Sequence, residues 1–333
     1  MPPLRLLLAA VIAVALAVDP VRVAELKPAH HLGATPIPSR GTLVEITNGW
    51  VWNENLAFAG GALWMSDAMT GELRRAVRNA NGTYNVSVHF AKNEFFVNIA
   101  GVVGSADGTT LFAAAHTLAN DTHVIIATPT SAAGAGVFSV VATLPCGAPS
   151  FCVKGNGLRI FNDVLYVSAE GDWLPGGGWL FSVDTRTRVV TQMSQGNLWA
   201  ADGLWISSTG TLFCGQLFSR ELWRVTLPGP NGTASPGPSA GGWLDDFTLD
   251  EAAGGGGGLF TGANWLYGRV DQWWPNGTML EEPLVTNLTN PTSVRWGVEE
   301  EGFPATSLFI SEGGGLFPWQ TTQRTWELRN ARD

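Results

Sequence analysis

Apolar and polar positions alternate along this chain in short runs rather than in the stripe of a long helix, and the runs repeat. Six strand cores built on a leucine stand at Leu63-Trp64-Met65, Leu111-Phe112-Ala113, Leu165-Tyr166-Val167, Leu212-Phe213-Cys214, Leu259-Phe260-Thr261 and Leu308-Phe309-Ile310, between 47 and 54 residues apart. Two-residue alternation broken by Gly-rich turns reads as antiparallel strands, and a repeat of this length reads as the blades of a propeller. The pattern predicts an all-β chain, a six-bladed β-propeller over residues 41–333.

Each unit opens on an inner strand: Glu54 to Phe58, Asn98 to Gly101, Asn156 to Leu158, Asp202 to Ile206, Asp246 to Asp250 and Pro291 to Gly297. Hairpin signals follow, Gly60-Gly61 in the first unit and Asp107-Gly108 in the second. The sixth unit lacks an outer strand at the C-terminus. The run 41–46 upstream of the first unit is expected to supply it, so that an N-terminal strand completes the last blade and closes the ring.

Composition narrows the setting. Forty-one Gly, nineteen Pro and fifteen Trp suit many turns and large cross-strand contacts, not a helical protein. A formal net charge of −9 without a Lys/Arg stripe argues against nucleic acid or an anionic membrane as partner. Residues 1–17, with Arg5 before an apolar run ending Ala15-Leu16-Ala17, have the layout of a signal peptide, too short for a membrane span. Six N-glycosylation triplets, at Asn81, Asn85, Asn120, Asn231, Asn276 and Asn287, agree with a secreted, extracellular protein free of the membrane after cleavage. Residues 18–40 form an N-terminal arm without a clear period. Cys146 and Cys152 are close enough for a small disulfide loop, and Cys214 is expected to be a buried, inert thiol.

The strand openings carry the chemistry. A lone Asn-Gly or Asp-Gly is an ordinary turn signal, but here acidic and amide residues recur at one phase of the repeat. Superposed blades bring Glu54, Asn98, Asn156, Asp202 and Asp246 to one end of the central channel. Like charges forced together need a cation, and all-oxygen donors without His or Cys select a hard divalent ion, Ca²⁺ before Mg²⁺. The ends of the second strands add Asp67, His116, Glu170, Gln216, Asn264 and Glu312 around the entrance. Free imidazole suits proton transfer near neutral pH, which makes His116 a candidate helper.

The openings Glu54-Asn55-Leu56-Ala57-Phe58, Asn156-Gly157-Leu158, Asp202-Gly203-Leu204-Trp205-Ile206, Asp245-Asp246-Phe247-Thr248-Leu249-Asp250 and Pro291-Thr292-Ser293-Val294-Arg295-Trp296-Gly297 resemble the SMP-30/gluconolactonase/LRE-like six-bladed propellers, in particular their secreted branch. The resemblance spans residues 41–332. It implies a divalent ion in the channel, often Ca²⁺, on Glu54, Asn156, Asp202 and, by blade order, Asp246. Two departures stand out: Asp202 where that family commonly has Asn, and Glu54-Asn55-Leu56 where Glu-Gly-Pro is usual.

Together these readings predict a monomeric hydrolase of lactones or related esters. The cation would polarise the carbonyl, Asp246 would activate water, and Asn98, Asn156 and Glu170 would meet a small-molecule substrate. Two other readings keep the architecture: a non-catalytic calcium-stabilised propeller that binds a protein or glycan, and a strictosidine-synthase-like propeller.

Overall fold

Strands dominate because the apolar residues fall on alternate positions and each alternate face finds a neighbouring blade to pack against. The computed structural model describes residues 35–120, 122–145, 155–171, 177–193, 198–217, 221–227, 235–239, 243–253, 257–313 and 323–332. Residues 1–17 with the expected signal peptide, most of the arm, Cys146, Cys152 and Asn231 lie outside the described residues. Among those described, no helix is long and apolar enough to cross a membrane.

The described strands form six antiparallel sheets in sequence order. Blade one comprises Asn53–Ala59, Ala62–Asp67, Leu73–Arg78 and Tyr84–Phe90; blade two, Phe96–Gly104, Thr110–Thr117, His123–Pro129 and Ser139–Thr143. Blade three comprises Gly155–Phe161, Val164–Ala169, Trp179–Asp184 and Val190–Gln192; blade four, Ala201–Ile206, Thr211–Gln216, Glu221–Thr226 and Ser235–Ser239. Blade five runs through Leu244–Asp250, Leu259–Asn264, Arg269–Trp273 and Val285–Thr286, and the short strand Ile37–Pro38 adds a fifth member at its edge. Blade six holds Pro291–Trp296, Leu308–Glu312 and Gln323–Arg329 and is completed by Thr42–Trp50, paired from Thr42↔Arg329 to Trp50↔Gln323. The ring is therefore closed as the sequence predicts, and each inner strand packs on the next, the sixth on the first.

The core lies between blades. Leu158, Leu165, Val167 and Phe181 of blade three pack with Phe112, Ile125 and Leu144 of blade two, and equivalent clusters fill the other junctions. The repeated Leu-aromatic cores supply these layers, which explains their period. Cys214 is buried in the blade-four cluster, and burial pushes its thiol pKa up, so it is inert as expected.

Candidate functional site

Every inner strand carries a β-bulge near its start. In blade one Asn53 pairs with Asp67 and Leu56 with Met65, so Glu54 and Asn55 both oppose Ser66. The same two-for-one register puts Asn156 and Gly157 opposite Ser168, Asp202 and Gly203 opposite Gly215, Asp245 and Asp246 opposite Ala263, and Thr292 and Ser293 opposite Ser311. In blade two the bulged pair is Ala100-Gly101, opposite Ala114.

Two features hold these bulges in line. A Cβ on Gly101 would lie 1.8 Å from Asn156 O, one on Gly157 2.5 Å from Asp202 O, and one on Gly203 2.5 Å from Asp246 Oδ1. The glycines of Asn156-Gly157 and Asp202-Gly203 thus sit inside strands, where only a missing side chain lets neighbouring inner strands approach. Serines opposite three of the bulges then stitch blade to blade. Ser66 Oγ accepts from Asn55 N at 3.1 Å and donates to Ala100 O at 2.6 Å; Ser168 Oγ accepts from Gly157 N at 2.7 Å and donates to Asp202 O; Ser311 Oγ donates to Glu54 O at 3.2 Å.

At the first bulge position Glu54, Asp202 and Asp245 converge, all three buried, each offering a carboxylate oxygen within 4.8 Å of the others. Asn156 joins them, its Nδ2 donating to Glu54 Oε1 at 3.1 Å and to Glu170 Oε1 at 2.7 Å. Trp52 Nε1 donates to the other Glu54 oxygen at 2.5 Å. Asn156 Oδ1 and Asp202 Oδ1 are buried acceptors without a hydrogen-bond partner. Burial first, then the charge of Glu170, pushes the Glu54 carboxyl up to about 8. Burial and the neighbouring carboxylates likewise hold Asp202 and Asp245 well above the usual carboxylate range. Three acids that resist ionising, and two acceptors with nothing donated to them, fit a hard cation held by oxygens alone.

The structure sorts the residues expected here. Glu54, Asn156 and Asp202 meet as the repeat predicts. The third carboxylate of the cluster is Asp245, whereas Asp246 occupies the second bulge position and faces deeper into the channel. There Asp246 Oδ2 lies 2.5 Å from Arg295 Nη2 and accepts from Ser293 Oγ at 2.6 Å, and its Oδ1 accepts from Phe247 N at 2.8 Å and stands 4.0 Å from Arg159 Nη2. Asn98 lies two residues ahead of the bulge, whose first position in blade two belongs to Ala100, and it faces His116 across the first two strands. His116 and Glu170 occupy equivalent rim positions, one residue past the bulge-side pair; the His116 ring stacks on His123 with centroids 4.3 Å apart, while Glu170 reaches the cluster through Asn156.

Other polar residues at the second-strand ends cap loops instead. Asp67 accepts from the amides of Val51, Trp52, Met69 and Thr70, Gln216 from Trp199 N, and Glu312 from Thr289 N and Trp326 Nε1, while Asn264 donates to Asp271. The register also reveals residues the sequence reading passed over: Asp245, the rim pair Trp52 and Trp265 with ring centroids 6.3 Å apart, and the buried arginines Arg159 and Arg295. The signal for the arginines was present, since each stands three residues beyond the first bulge position of its strand.

Comparison with known proteins follows the same lines. A calcium-binding protein, regucalcin, from Agrobacterium tumefaciens superposes with a TM-score of 0.64 at 18% identity, over 87% of this chain and 93% of that one. A gluconolactonase from Xanthomonas campestris gives 0.63 at 17% over 89% and 95%, and a luciferin-regenerating enzyme 0.64 at 11% over 87% and 95%. The chain has the fold of the regucalcin and gluconolactonase propellers. No protein-family model matches the sequence, and no curated protein does. At these identities the likeness carries the architecture, and the chemistry rests on the residues above.

Proposed function

We propose that this protein is a secreted, divalent-cation-dependent hydrolase of lactones or related esters, with calcium as the leading ion. The observation that carries the reading is the buried cluster of Glu54, Asp202 and Asp245, contributed by three separate blades with no cationic side chain paired to any of them among the described residues. Glu54, Asn156, Asp202 and Asp245 would hold the ion, which when bound supplies Lewis-acid polarisation of a carbonyl. The similar fold of a calcium-binding regucalcin and of a gluconolactonase supports both halves of the reading.

The protein's own groups complete the chemistry. Glu170 and Asn156 present hydrogen-bonding groups at the channel mouth, and Trp52 anchors the Glu54 carboxylate. A cation that neutralises the cluster would leave Asp245 ionised, and the carboxylate would then take a proton from an attacking water. Asp246, to which the sequence reading gave that task, has both oxygens engaged by Ser293, Phe247 N and Arg295 and acts in this reading as the link to the layer beneath. Asn98 and His116 line the rim on the blade-two side, where they would contact the substrate.

One observation favours a second reading. The Trp52 and Trp265 rings stand together beside Glu54, and a mouth closed by aromatic side chains suits a propeller in which calcium is structural and a face binds a protein or glycan. The deciding experiment measures metal content after dialysis and then hydrolysis across a lactone and ester panel, with and without chelator. Bound calcium with chelator-sensitive turnover establishes the hydrolase; bound calcium without turnover establishes the structural alternative; unchanged metal stoichiometry in Glu54→Gln and Asp245→Asn overturns the site itself. The secretory route is tested by the mature N-terminus and a glycosidase mobility shift. Asn81, Asn85, Asn120 and Asn276 are exposed and open to glycans.

A further inference from the structure

Three residues beyond the first bulge position, the inner strands present a second layer to the axis: Ala57, Val103, Arg159, Trp205, Thr248 and Arg295. The alternation of the strand places them on the same face as the bulge. Arg295 on blade six reaches Asp246 from the adjoining blade, and Arg159 on blade three reaches toward the same carboxylate from two blades away.

The two arginines differ in how well they are satisfied. Arg295 Nη1 donates to the carbonyls of Phe247 at 3.0 Å and Val294 at 2.7 Å, and Nη2 donates to Asn55 Oδ1 at 3.2 Å besides pairing with Asp246. Arg159 Nη1 donates to Leu158 O at 2.7 Å, but its Nε and Nη2 have no hydrogen-bond partner, and Asp246 is at the 4.0 Å edge of an ion pair. The residue is only 9% exposed. On the next two blades at the same register, Trp205 Nε1 and Thr248 Oγ1 are also buried and unpartnered. The Arg159 guanidinium lies 5.4 Å from the Trp205 ring centroid. Unpartnered hydrogen-bonding groups on three consecutive blades therefore share one level of the channel, and every one of them is able to donate. Two guanidiniums against one carboxylate also leave that level with a positive charge in excess. Burial, then the charge of Arg295, pushes the Arg159 pKa down to about 9.

We infer that this layer binds a small monovalent anion, of halide or carboxylate size, on Arg159 Nε and Nη2, Trp205 Nε1–H and the Thr248 hydroxyl. A water could accept some of these hydrogen bonds but brings no charge, whereas a guanidinium fork stripped of solvent is matched by an anion. The residues are distinct from Glu54, Asn156, Asp202 and Asp245, so the site stands whether or not the cation reading does.

The test uses the full chain, once with calcium and once with chelator. Crystals soaked in bromide are expected to show an anomalous peak within hydrogen-bonding distance of Arg159 Nε or Nη2, and chloride is expected to raise the melting temperature above that in sulfate at equal ionic strength. Arg159→Gln should abolish both responses, and Thr248→Val and Trp205→Phe should each weaken chloride binding about tenfold. Asp246→Asn, which removes the competing carboxylate, should tighten it. Displacement of bromide by acetate assigns the site to carboxylates as well, and failure to displace it assigns the site to halides. A wild-type protein with no bromide peak and no chloride dependence overturns the inference. An equal chloride response in Thr248→Val and Trp205→Phe does the same if Arg159→Gln does not fold.

Discussion

Two levels of one channel, three residues apart on the same six strands, have opposite electrostatics. At the mouth, Glu54, Asp202 and Asp245 face one another without a cationic partner among the described residues, and all three are pushed toward their neutral forms. One level down, Asp246 is gripped by Arg295 and approached by Arg159. The backbone is the same, so the difference lies in what neutralises each carboxylate: a side chain folded into the protein below, and in the proposed reading an ion above. A buried acid with its own arginine belongs to the scaffold, and a buried acid without one points to a ligand.

The mouth level breaks first. Asp245→Asn or Glu54→Gln should reduce lactone hydrolysis to the uncatalysed level and cut bound calcium, while raising the melting temperature of the metal-free protein because a buried acid is removed. Calorimetry with and without chelator reads both signs. At the lower level, Arg295→Met leaves Asp246 buried beside a distant Arg159 and should cost about 3–5 kcal/mol in urea unfolding. The double variant with Asp246→Asn should recover much of that loss. Between the levels, Gly203→Ala would set a Cβ 2.6 Å from the Asp246 Cα and should destabilise by about 1–3 kcal/mol, seen as a shift of the unfolding midpoint.

pH sharpens the comparison further. The Glu54 carboxyl is raised from 4.5 to about 8 in the folded chain, so the folded state holds its proton more tightly than the unfolded state. Metal-free protein should be most stable below about pH 4.5 and lose stability as pH rises through 8, on the order of 1 kcal/mol per unit for one proton. Saturating calcium should flatten that slope, and a slope unchanged by calcium would separate the cation from these acids. The smallest effect is expected from Trp52→Phe, which removes one hydrogen bond to Glu54 and should weaken calcium binding by about tenfold at most.

Much of this was legible in the sequence, and the exceptions have physical causes. The blades were readable because each second strand repeats a Leu-aromatic core that fills an interblade layer. Glu54, Asn156 and Asp202 were readable because close approach of inner strands demands glycine after two of them, and that fixed their phase. Blade five has Asp245-Asp246 with no glycine to mark the register, so one residue of slip put the wrong carboxylate at the mouth. In blade two the bulge holds Ala100, and Asn98, two residues earlier, stood in for it. The arginines went unread because full burial of Arg is rare, and their spacing from the bulge carries meaning only once the partner from another blade, Asp246, is known.

The strand Thr42–Trp50, which precedes the whole of blade one, lies against Gln323–Arg329, the last described strand. A ribosome therefore delivers the two parts of blade six far apart in synthesis, and the first part must wait unpaired until the five intervening blades have emerged. Closure is then the slowest, most non-local step of folding, and until it happens both edges of the unfinished ring are open to intruding strands. A chain cut short by even its final strand would be left with a reactive seam rather than a slightly smaller propeller.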